Sequence, residues 1–78
     1  MKTVKVLLNS IETVKEFVAT ISKIDCDMDL VSGKYKVDAK SILGIFSMNL
    51  SDTLDLNIHA DGPVLNSAMT AVLPYLAA

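Results

Sequence analysis

The chain has no arginine and only one cysteine and one histidine among its 78 residues. Without arginine, it cannot build the planar two-pronged clamps that often hold phosphate groups. A single cysteine excludes an internal disulfide bond and suits a reducing compartment, so we expect a cytoplasmic protein. No apolar run approaches the roughly 18 residues that a membrane-spanning helix requires, so we expect no membrane association.

The composition favours one small domain that covers residues 1–78. Hydrophobic residues make up 51% of the chain, which is enough for a packed core without a metal ion or cofactor. The net charge is −2 and the isoelectric point is near 5.0. A nucleic-acid-binding protein needs a basic face, so the charge argues against a nucleic-acid partner.

Apolar residues alternate with polar ones in four segments, which is typical of half-buried strands. These segments run from Val4 to Leu8, from Cys26 to Leu30, from Tyr35 to Val37 and from Leu54 to Ala60. Three other segments have helical spacing: residues 11–22, a short one from Ser41 to about Met48-Asn49, and one after Pro63 that Pro74 ends or kinks. Either Asn9 or Ser10 can cap the first helix. The inner face of the last helix is predicted to contain Val64, Leu65, Ala68, Met69, Val72 and Leu73.

The predicted order is β-α-β-β-α-β-α, with a hairpin turn at Ser32-Gly33 between the second and third strands. Each strand has one apolar face and each helix has one apolar stripe. The economical arrangement is an α+β open-faced sandwich, in which three helices pack on one face of a four-stranded antiparallel sheet and the other face is exposed to water.

Several local sequences resemble HPr, the small phosphocarrier of the bacterial sugar phosphotransferase system. Lys40 to Met48 closely resembles the HPr pattern of lysine, regulatory serine, two large apolar residues, glycine and further apolar residues. Phe17-Val18, Ser32-Gly33-Lys34 and Ile58 to Gly62 resemble the first helix, the hairpin turn and the end of the last strand. The resemblance extends from about Val4 to Leu73 and implies the same fold.

The chain departs from HPr at the start of the first helix. Ser10 stands at the place of the histidine that carries phosphate in HPr, and Glu12 stands at the place of an arginine. A serine phosphoester is a poor donor for onward transfer, and Glu12 repels an incoming phosphoryl group. We therefore expect neither enzymatic activity nor a phosphoryl relay through this position.

Ser41 has two interpretations. It can simply cap the short helix, or it can also be phosphorylated by a kinase similar to HPr kinase, as the resemblance implies. A short helix cannot bury all of Ile42, Leu43, Ile45, Phe46 and Met48. By resemblance, Ile42, Leu43 and Phe46 are the candidate partner-binding residues.

The favoured hypothesis is a regulatory or partner-binding domain that takes part in the regulation of sugar transport and has no histidine phosphocarrier activity. It is similar to the catabolite-repression paralogue of HPr, so the expected partners are an HPr-kinase-like kinase or a transcriptional regulator. Two alternatives stay open. One is a phosphocarrier that uses a hydroxyl acceptor at Ser10 or Thr13, and the other is a non-phosphorylated self-associating domain.

Three further features have plain interpretations. Asp25, Asp27 and Asp29 match the opening of a calcium loop, but Leu30 and Lys36 stand where glycine and glutamate are required. We therefore predict a solvated strand face and no metal site. His59 is predicted to be a surface residue, and Cys26 a core thiol.

Overall fold

The computed structural model describes residues 1–77. Its elements are β1 (Lys2–Val6), α1 (Ile11–Ile21), β2 (Asp27–Ser32), β3 (Tyr35–Asp38), α2 (Ile42–Phe46), β4 (Leu54–His59) and α3 (Gly62–Val72). A 3₁₀ turn, Leu73–Tyr75, contains Pro74 and follows α3. The predicted element order is confirmed.

The four strands form one antiparallel sheet in the order β1-β4-β2-β3. Val6 lies opposite Leu54 and Lys2 lies opposite Ile58 in the β1–β4 pair. The predicted β2–β3 hairpin is present, and Gly33 at its turn has a φ of 58°. Glycine suits this position because other residues are strained in the left-handed region.

The core lies between the sheet and the helices, and three helices on one face of the sheet confirm the predicted α+β sandwich. The apolar faces of α1 and α3 meet the sheet, and the Phe17 and Tyr75 rings contact edge to face with centroids 5.3 Å apart. The largest fully buried side chains are Val6, Leu8, Val14, Phe17, Ile21, Leu30, Ile45, Leu54, Leu56, Ile58 and Val72. Burial of each large apolar side chain contributes about 1.5–3 kcal/mol, so this layer is the main source of stability.

Two predicted helix features are wrong in detail. The α2 helix ends at Phe46, not near Met48-Asn49, because the Ser47 N–H and hydroxyl both donate to the Gly44 carbonyl and tighten the last turn. Val64 and Leu73 are 41% and 59% exposed, so they do not belong to the inner face of α3. The α-helix ends at Val72, and the tighter 3₁₀ turn follows, which changes the direction of Leu73.

The outer edge of β1 is covered by the segment that follows α3. The Ala77 N–H donates to the Lys5 carbonyl and the Leu7 N–H donates to the Tyr75 carbonyl, each at 2.9 Å. Val6 and Leu76 form an isolated antiparallel bridge. These contacts satisfy backbone groups that an edge strand would otherwise expose.

Candidate functional site

Ser10 is the N-cap of α1, so the structure selects it over Asn9. Its backbone is extended, with φ −145° and ψ 158°, and its Oγ accepts a 3.1 Å hydrogen bond from the Thr13 N–H. The Ser10 and Thr13 hydroxyls are also hydrogen-bonded at 2.8 Å. The Ser10 hydroxyl therefore satisfies one of the free amides of the first helical turn.

Glu12 lies in the first turn of α1 and is exposed. A carboxylate at this position interacts favourably with the positive end of the helix dipole. The same negative charge opposes the approach of another anion. The start of α1 is thus occupied by a capping hydroxyl and an acidic side chain.

His59 and Ser10 lie beyond opposite ends of the β1–β4 pair. The chain reaches Ser10 after leaving the Val6–Leu54 end of the β1–β4 pair, whereas His59 lies beyond the Lys2–Ile58 end. Four residue steps along a strand separate these ends, which is about 13 Å. The chain's histidine therefore does not reach the start of α1.

His59 belongs to a hydrogen-bonded group on the face of the sheet opposite the helices. Its Nε2 lies 2.6 Å from Asp29 Oδ2, and the Asn57 amide donates to Asp29 Oδ1 at 2.7 Å. Thr3 donates in turn to Asn57 Oδ1 at 2.6 Å, and the Lys36 ammonium lies 3.8 Å from Asp29 Oδ2. We call these five residues the Asp29 network; they come from all four strands.

Asp29 is only 9% exposed. Burial raises the pKa of its carboxyl group, but the hydrogen bonds from His59 and Asn57, together with the positive charge of Lys36, outweigh burial and leave the pKa below its ordinary value. The carboxylate is therefore ionised near neutral pH and acts as the acceptor at the centre of the network.

These contacts correct the prediction for Asp29, whereas His59 is a surface residue as predicted. Asp29 is not part of a solvated face, although Asp25 and Asp27 are exposed as expected. The side chain of His59 is 40% exposed, but it is anchored to Asp29. Cys26 packs against the core but is only partly buried.

Ser41 is the N-cap of α2. Its Oγ accepts a hydrogen bond from the Gly44 N–H at 3.2 Å, and its carbonyl accepts one from the Ile45 N–H at 3.0 Å. A Cβ atom on Gly44 would lie 3.2 Å from the Cβ of Val37 and 3.3 Å from Ser41 Oγ. Glycine therefore allows α2 to pack closely against β3 while Ser41 keeps its cap.

The apolar residues of α2 divide into a buried and an exposed set. Ile45 is fully buried, whereas Leu43 is 80% exposed, Phe46 is 38% exposed and Ile42 is partly buried. Part of this set is thus exposed, as expected. We call Ile42, Leu43 and Phe46 the α2 patch; it adjoins Ser41 directly in the chain.

Comparison with known proteins identifies the family. The family model described as "PTS HPr component phosphorylation site" matches residues 12–78. The chain belongs to the HPr family. The match contains Glu12, Ser41 and the α2 patch, and it begins two residues after Ser10.

Two solved HPr structures have the same fold as this HPr-family chain. "HPr-C-His" from Thermoanaerobacter tengcongensis is 24% identical, with a TM-score of 0.74 over 95% of this chain and 92% of that one. The phosphocarrier protein HPr from Bacillus anthracis str. Ames is 20% identical, with a TM-score of 0.70 over 97% of this chain and 94% of that one. At these identities the likeness establishes the arrangement of helices and strands.

Within residues 1–77, membrane-spanning helices and clusters of metal-ligating side chains are both absent. None of the helices is both long enough and apolar enough to cross a membrane. Within the same range, no three side chains of the histidine, cysteine, aspartate or glutamate type come together as metal ligands would.

Proposed function

We propose that this chain is an HPr-family regulatory domain that recognises protein partners and does not relay phosphate through a histidine. Its recognition surface consists of the α2 patch beside Ser41, and phosphorylation of Ser41 regulates it. The partners are a kinase of the HPr-kinase type or a transcriptional regulator, in a bacterial cytoplasm.

The observation that carries the proposal is the chemistry at the start of α1. Ser10 uses its hydroxyl to cap the helix, and Glu12 places a negative charge in the first turn. His59 is held by Asp29 at the other end of the β1–β4 pair. A relay needs a nucleophile that forms a reactive phosphoryl bond and a surrounding charge that accepts the incoming group, and this end of α1 supplies neither.

The α2 patch supports the recognition part of the proposal. Leu43 exposes 80% of its surface on a helix of five residues, while Ile45, two residues further on, anchors that helix in the core. An exposed apolar side chain on an anchored element can be buried by a partner at little ordering cost. Ser41 lies immediately before this patch, so an added phosphate would change the charge at its border.

The deciding experiment incubates the purified chain with phosphoenolpyruvate and the general phosphotransferase enzyme. We expect no acid-labile phosphate, while a histidine-bearing HPr in a parallel reaction becomes fully labelled. Stoichiometric acid-labile labelling of this chain would refute the proposal. The His59→Gln variant would then show whether His59 is the acceptor.

Phosphosite mapping separates the remaining candidates. After incubation with HPr kinase and ATP, we expect acid-stable phosphate on Ser41 and none in the Ser41→Ala variant. Phosphate on Ser10 or Thr13 after incubation with phosphoenolpyruvate and the general enzyme would instead support a hydroxyl phosphocarrier. A dimer in sedimentation, with no phosphate on Ser41, would support a self-associating domain.

A further inference from the structure

Lys40, the residue before Ser41, makes a contact unlike those of the other paired lysines. Lys5 and Lys36 lie 2.8 and 3.8 Å from the carboxylates of Asp55 and Asp29. The Lys40 ammonium instead donates a 2.6 Å hydrogen bond to the backbone carbonyl of Ile24. Among the side chains of residues 1–77, no carboxylate lies within 4.0 Å of it.

The Ile24 carbonyl lies in the connection between α1 and β2. It also accepts a 3.0 Å hydrogen bond from the Cys26 N–H, and the Ile24 N–H donates to the Ile21 carbonyl at 2.9 Å. The connection is therefore a tight turn built on the end of α1. The Lys40 ammonium occupies the remaining acceptor position of that carbonyl, where a neutral donor would form a weaker hydrogen bond.

The backbone around Lys40 is fixed by shorter-range contacts. The Lys40 N–H donates to Asp38 Oδ1 at 2.9 Å, and the Ser41 N–H donates to the Asp38 carbonyl at 3.0 Å. Ala39 is fully buried, and its N–H donates to the Met28 carbonyl at 3.0 Å. These bonds fix the local turn, whereas only the Lys40 side chain ties this turn to the α1–β2 connection by a hydrogen bond within residues 1–77.

We propose that Lys40 is a positioning residue that sets the orientation of Ser41 and the start of α2 relative to α1. The proposal rests on the function proposed above for Ser41. Lys40 acts by clamping the β3–α2 turn to the Ile24 carbonyl, so that the Ser41 hydroxyl and the Gly44 N–H keep one arrangement. Loss of the clamp leaves the sheet intact and loosens the start of α2.

The test compares Lys40→Met, Lys40→Arg and the control Lys23→Met, which removes a charge from an exposed lysine near the end of α1. Native-state hydrogen exchange is followed at Gly44 and Ile45. In Lys40→Met we expect about tenfold faster exchange, the ratio that corresponds to one lost hydrogen bond to a charged group. The Lys40→Arg variant keeps a cationic donor, so its exchange rates should remain within about threefold of those of the wild-type chain.

The carbonyl carbon shift of Ile24 gives a second readout in the folded protein. It should move further in Lys40→Met than in the control, in which the substituted Lys23 is the chain neighbour of Ile24. Equal exchange rates in Lys40→Met and Lys23→Met would overturn the proposal, as would equal rates in the methionine and arginine variants of Lys40. Neither readout requires phosphorylation, so both test Lys40 even if Ser41 accepts no phosphate.

Kinase kinetics connect the clamp to Ser41. With HPr kinase and ATP, Lys40→Met should lower kcat about tenfold and change KM less than twofold, because the hydroxyl is misplaced while every side chain of the α2 patch is still present. A change confined to KM would overturn the positioning role. Absence of phosphate on Ser41 in the unmodified chain would instead refute the proposed function.

Discussion

Replacement of Asp29 by alanine is expected to lower the free energy of unfolding by about 2 kcal/mol. The carboxylate accepts hydrogen bonds at 2.6 Å from His59 and at 2.7 Å from Asn57. A hydrogen bond to a buried charged group contributes about 1.5–3 kcal/mol. The side chains of His59 and Lys36 are 40% and 67% exposed, so water replaces part of the interaction that each of them loses with the carboxylate. Alanine also removes the free-energy cost of burying the carboxylate, and this gain offsets a further part of the loss in stability.

The measurement is urea unfolding at pH 7, with Asp27→Ala as the matched control. Asp27 lies on the same face of β2 two residues away, is exposed, and is paired in register with His59. Its removal should change stability by less than about 0.5 kcal/mol. Equal losses in the two variants would refute the argument that burial and hydrogen bonding distinguish Asp29.

The loss should also depend on pH in a defined direction. The folded state holds the pKa of Asp29 below its ordinary value of 3.8, so ionisation of this group stabilises the folded chain above that pH. This contribution disappears as the pH falls through the folded-state pKa. The stability difference between the unmodified chain and Asp29→Ala should therefore shrink below pH 3.8. A difference that grows with acidification would contradict the assignment.

Two further predictions concern the helix starts. Ser10→Ala should cost about 1 kcal/mol in urea unfolding because the Thr13 N–H loses its acceptor, and Ser10→Asp should retain most of that stability; equal losses would show that the cap is unimportant. Gly44→Ala brings a Cβ atom within 3.2 Å of the Cβ of Val37, which is fixed to the strand backbone and cannot rotate away. The free-energy cost of this close contact should exceed the gain in helix propensity, which is at most about 1 kcal/mol. We therefore expect Gly44→Ala to lower the melting temperature, and a higher melting temperature would contradict this reasoning.

The fold could be predicted because hydrophobic periodicity reports which face of each element is buried. The alternation around Leu54, Leu56 and Ile58 identified β4, and all three side chains are buried in the core. The ends of the helices and strands were harder to predict. The termination of α2 depends on two hydrogen bonds from Ser47 to the Gly44 carbonyl, a local geometry that the apolar pattern does not contain.

The Asp29 network could not be predicted because periodicity does not give strand order. Asn57 and Asp29 are 28 residues apart and meet because β4 lies between β1 and β2. An acidic residue in an alternating strand suggests exposure until its neighbours across the sheet are known. The Lys40 contact was missed for the same reason, since its acceptor is a backbone carbonyl 16 residues away.

The pairing of Leu76 and Ala77 with β1 makes the two edges of the sheet different. A strand from another molecule that approached the β1 edge would first have to displace this segment. The β3 edge instead presents the charged side chains Lys36 and Asp38. Addition of a strand from another molecule is thus obstructed sterically on one flank and by charge on the other. Two copies of this domain would therefore associate more readily through side chains on the helices than by extension of their sheets.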